Sequence, residues 1–111
     1  MNAIKILEAW NSSIKNKSEY PLGHLLHKDC KIEYFGRPKI QSKEEHLIWC
    51  RDNTIAKCIG DFHVIYDKNG VCCGSHSVTY SSGKFGLIMF FGQYSDTGVT
   101  SWNSLVSRDS D

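Results

Sequence analysis

Residues 61–107 read DFHVIYDKNG VCCGSHSVTY SSGKFGLIMF FGQYSDTGVT SWNSLVS, and their apolar and polar side chains alternate with period two. Three turn signals cut this run: Asp67-Lys68-Asn69-Gly70, Ser82-Gly83 and Ser95-Asp96-Thr97-Gly98. The first and last place Gly where a type I turn with a bulge needs positive φ. The pattern predicts a four-strand antiparallel meander, with strands near 61–67, 71–81, 84–94 and 99–107.

The register follows from which pairing groups the apolar residues. A three-residue loop at 68–70 sets Phe62, Val64 and Tyr66 on one face with Cys72, Gly74, His76, Val78 and Tyr80. Continued through the turn at Ser82-Gly83, this face takes in Phe85, Leu87, Met89 and Phe91, then Asn103 and Leu105. It is the expected inner face, with His76 and Asn103 its conspicuous polar members. Ile88, Phe90, Trp102 and Val106 then fall on the outer face. An apolar patch of that size predicts a two-fold homodimer through the outer sheet face.

Ahead of the meander the period is helical. Ala3, Leu7, Trp10 and Ile14 line one face of a first helix. A second helix is expected from Ser18 to His27, burying Leu22, Leu25 and Leu26, with Pro21 tolerated in its first turn. Cys30 to Phe35 alternates as a short strand and ends at Gly36-Arg37-Pro38. Ser42 and Glu45 form an S-x-x-E capping box that opens a third helix carrying Leu47, Ile48, Trp49 and Ile55. The class is α+β: three N-terminal helices packed on a curved antiparallel sheet, in the order α-α-β-α-β-β-β-β.

The chain has 111 residues, 41% hydrophobic and 23% charged, which suits one globular domain spanning 1–111. A formal charge of +1 supplies no electrostatic footprint for nucleic acid or an anionic membrane. Lys5 and Glu8 interrupt the apolar residues of the N-terminus, which reads as an amphipathic helix and not as a signal peptide. Five cysteines without a secretion signal read as reduced thiols in a cytoplasmic protein.

Helix, helix, short strand, helix and four-strand meander, in this order and length, resemble the cystatin-like cone fold of the nuclear transport factor 2-like superfamily. That group includes ketosteroid isomerase and the SnoaL-type polyketide cyclases. Ser42-Lys43-Glu44-Glu45-His46-Leu47-Ile48-Trp49 is similar to the family's G-x-E-x-I-x-x-[FW] helix, with Ser for Gly and His for Ile. Asp29 matches an acidic residue common before the first strand. The resemblance implies an apolar pocket inside a cone. It does not imply one reaction, since the fold hosts isomerases, dehydratases, cyclases, epoxide hydrolases, binding subunits and transport adaptors.

The isomerase reaction needs a base and a pair of oxyanion donors. Where that enzyme has its general-base Asp, this chain has Tyr34, and Trp10 stands for the Tyr donor of the first helix. The strand that should carry the second donor runs Phe85-Gly86-Leu87-Ile88-Met89-Phe90-Phe91 and has no carboxylate in either register. The isomerase constellation is therefore absent. His76 is the candidate acid–base group, with Tyr34 or Asn103 to polarise a carbonyl. The competing reading is a core histidine satisfied by a backbone carbonyl or by Asn103. Glu33, opposite Tyr34 on its strand, reads as solvated.

Trp10, Tyr34, Trp49, Tyr66, His76, Met89 and Asn103 are the expected lining of a site for a small apolar or aromatic molecule, or else simply core. No cofactor is expected, and no metal. Cys72 and Cys73 are adjacent in a strand and point to opposite faces, while Cys72 and His76 share a face about 13 Å apart. His24 and His27 sit one helical turn apart with no third ligand beside them. No cysteine has a neighbouring base to lower its pKa. Three functions stay open: a binding domain, a cofactor-independent lyase or isomerase using His76, and an interaction module using the sheet.

Overall fold

The structure, a computed structural model, describes residues 1–109. Helix α1 (Ala3–Asn16) starts at Asn2, whose side chain accepts the Lys5 N–H at 2.9 Å, and ends at Lys17 in the left-handed region. Ala3, Leu7, Trp10 and Ile14 are all buried, as their spacing predicts. The Asp67 carboxylate accepts the Ala3 N–H at 2.8 Å and so ties the helix start to the sheet.

Helix α2 (Leu22–Leu25) is one turn long, and the expected second helix is correspondingly overestimated. Residues 26 onward leave the helical path because they pair with the last strand. That pairing makes β1 (Leu26–Tyr34) four residues longer at its start than the alternation from Cys30 shows. Strand β2 (Ile40–Ser42) has no signal in the sequence pattern; its three residues pair with Lys31 to Glu33. Helix α3 (Lys43–Asp52) begins with the expected reciprocal capping box between Ser42 and Glu45. It stops before Ile55, and Ile48 is exposed on its outer side.

Strands β3 (Ala56–Lys68), β4 (Val71–Tyr80), β5 (Phe85–Ser95) and β6 (Gly98–Asp109) form the meander. With β1 and β2 they make a six-stranded sheet in the order β2-β1-β6-β5-β4-β3. The β1–β6 pairing is parallel, so the sheet is mixed and not antiparallel throughout.

The register differs from the expected one at both hairpins. Lys68 pairs with Val71, so the first loop is the two-residue Asn69-Gly70 turn with φ of 55° and 77°. That parity would turn Phe62 and Val64 outward, but a bulge between Val64 and Tyr66 restores them to the Gly74 and His76 face. Tyr66 lies on the turn side of the bulge, opposite Cys73, and points out. The second loop has three residues, Ser81 to Gly83, because Thr79 pairs with Phe85 and the Tyr80 N–H donates to the Lys84 carbonyl at 2.8 Å. Gly83, at φ of 93°, takes the left-handed position this loop requires.

No bulge corrects this second change, so β5 and β6 present their other faces inward. Ile88, Phe90, Trp102 and Ser104 are buried, while Leu87, Met89, Phe91 and Leu105 are 44–49% exposed. The pairing of β5 with β6 agrees with the expected one, since Phe91 lies opposite Asn103. Both strands therefore differ from the expected facing together. Inside, the Trp102 indole stacks on Phe90 at 5.1 Å and fills the space a Cβ at Gly92 would need. Among the described residues no helix is long and apolar enough to cross a membrane.

Candidate ligand site in the cone

The inner face of the sheet, α1 and α3 enclose a cavity of about 50 Å³. Trp10 comes from α1, Tyr34 from β1, Trp49 from α3, His76 from β4 and Ser104 from β6. Their convergence follows from curvature, since strands distant in sequence bend round the buried side of α1. Tyr34, Trp49, Ala56, Val78 and Ile88 also line a wider recess of about 390 Å³, bounded by Arg37, Pro38, Lys39 and Gln41. The two spaces share these five residues as walls, the smaller lined by His76 and the larger by the β1–β2 loop, and together they are termed the funnel.

His76 is 5% exposed. Its Nδ1 lies 3.0 Å from the Ser77 carbonyl oxygen, which can only accept, so the proton sits on Nδ1 and Nε2 is the basic nitrogen. Phe62 meets the ring edge-on at 6.4 Å and Phe90 lies at 6.0 Å. Burial lowers its pKa, partly offset by the Ser77 carbonyl, and keeps the ring neutral at physiological pH. Backbone satisfaction of one nitrogen is thus present. Asn103 has no part in it, being on the outer face opposite Phe91 and Glu33.

Tyr34 is half-buried, and its hydroxyl pKa is pushed up to about 12, chiefly by burial, so it remains an O–H donor. Arg37 lies over its ring, the guanidinium carbon 5.5 Å from the centroid. Of the seven expected lining residues, Trp10, Tyr34, Trp49 and His76 meet at the funnel. Tyr66, Met89 and Asn103 do not, for the reasons of bulge and loop parity given above.

His46 is the polar residue that sequence reasoning passed over. It is fully buried on α3. The Trp10 Nε1–H donates to its Nε2 at 2.9 Å, and its Nδ1 lies 2.8 Å from Gln41 Oε1. Trp49 stacks on it at 5.4 Å and 17°. Burial pushes its pKa down to about 4. A signal existed: His46, Leu47 and Cys50 share one helical face, and His46 stands where the resembling motif has Ile.

Cys30, Cys50 and Cys72 are buried, and burial pushes their thiols up to about 11, 12 and 11, which removes them as nucleophiles at neutral pH. Cys72 faces the core and Cys73 the outer surface, as adjacent strand residues must. His24 and His27 do not share a helix: the first lies in α2, and the second lies in β1, where its Nδ1 accepts the Asp29 N–H at 3.0 Å.

No family model matches the sequence, and no curated protein matches it significantly. Solved structures do. A ketosteroid isomerase candidate from Kribbella flavida superposes with a TM-score of 0.77 at 9% identity, over 96% of this chain and 78% of that one. A nuclear transport factor 2-like protein from Cytophaga hutchinsonii gives 0.65 at 12%, over 93% of each chain. The fold is that of the nuclear transport factor 2-like proteins. A protein of ketosteroid isomerase-like fold from Catenulispora acidiphila, solved in complex with trimethylamine, gives 0.73 at 14%, over 90% of this chain and 83% of that one.

At such identities the likeness carries the nuclear transport factor 2-like architecture and no reaction. The corrected register leaves the chemical comparison unchanged. The inner face of β5 is Gly86, Ile88, Phe90 and Gly92, so the cone holds no carboxylate at the place where the isomerases keep their second donor.

Proposed function

We propose that this chain binds a small, mostly apolar molecule in its funnel, with His76 as the polar anchor at the narrow end. The observation that carries this reading is the basic Nε2 of His76, with no protein partner among the described residues, at a cavity that shares five wall residues with a wider aromatic recess. The inner cavity of about 50 Å³ admits one or two waters or a single functional group. The body of a ligand therefore occupies the outer recess, flanked by Trp49 and Tyr34, while a hydroxyl or a carbonyl-bound water reaches His76. A protein of the same fold has been solved in complex with a small molecule, trimethylamine. The test is thermal stabilisation by 2-naphthol, a flat probe with one donor. His76→Leu should weaken binding about tenfold, which is about 1.4 kcal/mol. Equal stabilisation of both proteins, or none of either, overturns the reading.

The neutral, buried imidazole lines the same cavity as Tyr34, and the pair also supports acid–base chemistry on a bound carbonyl compound, a cofactor-independent isomerisation or dehydration. In that reading His76 Nε2 takes the proton and Tyr34 stabilises the oxyanion.

The outer face supports a homodimer through a different residue set from the expected one. Leu87, Met89, Phe91 and Leu105 form its apolar patch, with Met89 directly opposite Leu105. Sedimentation should show a dimer at micromolar concentration that Met89→Lys converts to monomer; a monomeric parent protein would exclude it.

A further inference from the structure

The His46 chain gives the funnel mouth a direction. An indole N–H can only donate, so the 2.9 Å contact from Trp10 requires an unprotonated Nε2 on His46. The proton is then on Nδ1, and the group 2.8 Å away on Gln41 must be its carbonyl oxygen. With Oε1 committed to His46, the Gln41 amide nitrogen is the end left at the mouth, which Gln41 lines. It has no protein partner among the described residues. Three residues from three elements thus fix which end of the Gln41 amide is committed inside the protein and which is left over.

The charges at the same rim agree. Lys39 is neutralised by Glu45 at 2.7 Å. Arg37 has no carboxylate partner among the described residues and is braced on the Tyr34 ring at 5.5 Å. The remaining wall is apolar or aromatic, with Trp49, Ile55, Val78 and Ile88 among its members. A fixed amide donor, an unpaired guanidinium and an apolar floor complement a carboxylate joined to a flat or branched apolar body.

We infer that the ligand is an apolar carboxylate, its anionic end held by Arg37 and the Gln41 amide and its body lying over Trp49. His46 is a positioning residue here: it touches no ligand and sets which end of Gln41 the ligand meets. This inference rests on the funnel being a binding site, and the experiment separates the two ideas.

Binding of 2-naphthoate and of 2-naphthamide is measured by calorimetry on the full chain. The parent protein should prefer the acid by about tenfold or more. Arg37→Ala should remove most of that preference while leaving amide affinity within about twofold. Gln41→Glu keeps an acceptor for His46 but presents a carboxylate to the mouth, and it should invert the preference. His46→Phe should lower the acid-to-amide ratio without weakening the amide. If His46→Phe fails to fold, Gln41→Glu still decides. Equal affinity for both probes in the parent protein, or a ratio unmoved by Arg37→Ala and Gln41→Glu, overturns the carboxylate assignment and leaves the funnel intact. Binding of neither probe, nor of 2-naphthol, overturns the funnel as well.

Discussion

The helical wall and the sheet wall of the cone each bury one histidine, and the two are finished differently. On α3, His46 has a donor on one nitrogen and an acceptor on the other, and tryptophan rings at 5.1 and 5.4 Å. On β4, His76 has one nitrogen on a carbonyl and the other beside a cavity. A buried imidazole with both nitrogens paired is architecture, because nothing is left to meet a ligand. One with a spare basic nitrogen at a cavity is available for binding or proton transfer.

The sharpest test compares the two in the unliganded protein. His46→Leu leaves the Trp10 N–H and the Gln41 carbonyl without partners, each a loss of about 1–3 kcal/mol, so urea unfolding should show about 4 kcal/mol of destabilisation. His76→Leu frees one strand carbonyl and should cost about 1 kcal/mol. Equal costs would break the distinction between the walls.

A second test uses pH. His46 has a folded-state pKa of about 4, below the ordinary histidine value of about 6.5. Between these values the unfolded chain takes up a proton that the folded chain refuses. Stability is therefore full above about pH 6.5 and falls as pH drops to about 4, by roughly 3 kcal/mol. Burial lowers His76 too, which adds a contribution of the same sign. A series of unfolding curves should show the slope, and in His46→Leu most of it should vanish. A slope that survives in that variant would move the effect to His76 and reverse the roles given to the two walls.

How much of this was legible in the sequence depends on how local the signal is. The buried face of α1 repeats every three or four residues, and the α3 capping box lies within four residues, so each is fixed by its own segment. Strand β2 has three residues and exists only because β1 is there to pair with. The early end of α2 has the same origin, since Leu26 gives up helical preference to pair with Val99 of β6.

The candidate site was half legible. Trp10, Tyr34, Trp49 and His76 lie on segments whose facing was read correctly. Met89 and Asn103 lie beyond the Ser81–Gly83 loop, where one residue of loop length turns every later side chain over. Hydrophobicity gave no warning, because β5 is apolar on both faces: Leu87, Met89 and Phe91 on one, Ile88 and Phe90 on the other. At the first hairpin the loop is also one residue shorter than the pattern suggests, but the bulge at Ile65 compensates for Phe62 and Val64 and leaves only Tyr66 displaced.

The sequence by itself determined the α+β class, the succession of α1, β1, α3 and a four-strand meander, the buried face of α1 and the absence of the isomerase carboxylate from β5, since each depends on residue type or on spacing within one segment. Only the tertiary structure decided which face of β5 and β6 is inside, and with it the division between the funnel and the outer patch. It alone brought Trp10, His46 and Gln41 into one hydrogen-bonded chain, because those contacts join residues 36 and 5 positions apart across three elements. Periodicity within a segment carries no information about which distant segment it will meet.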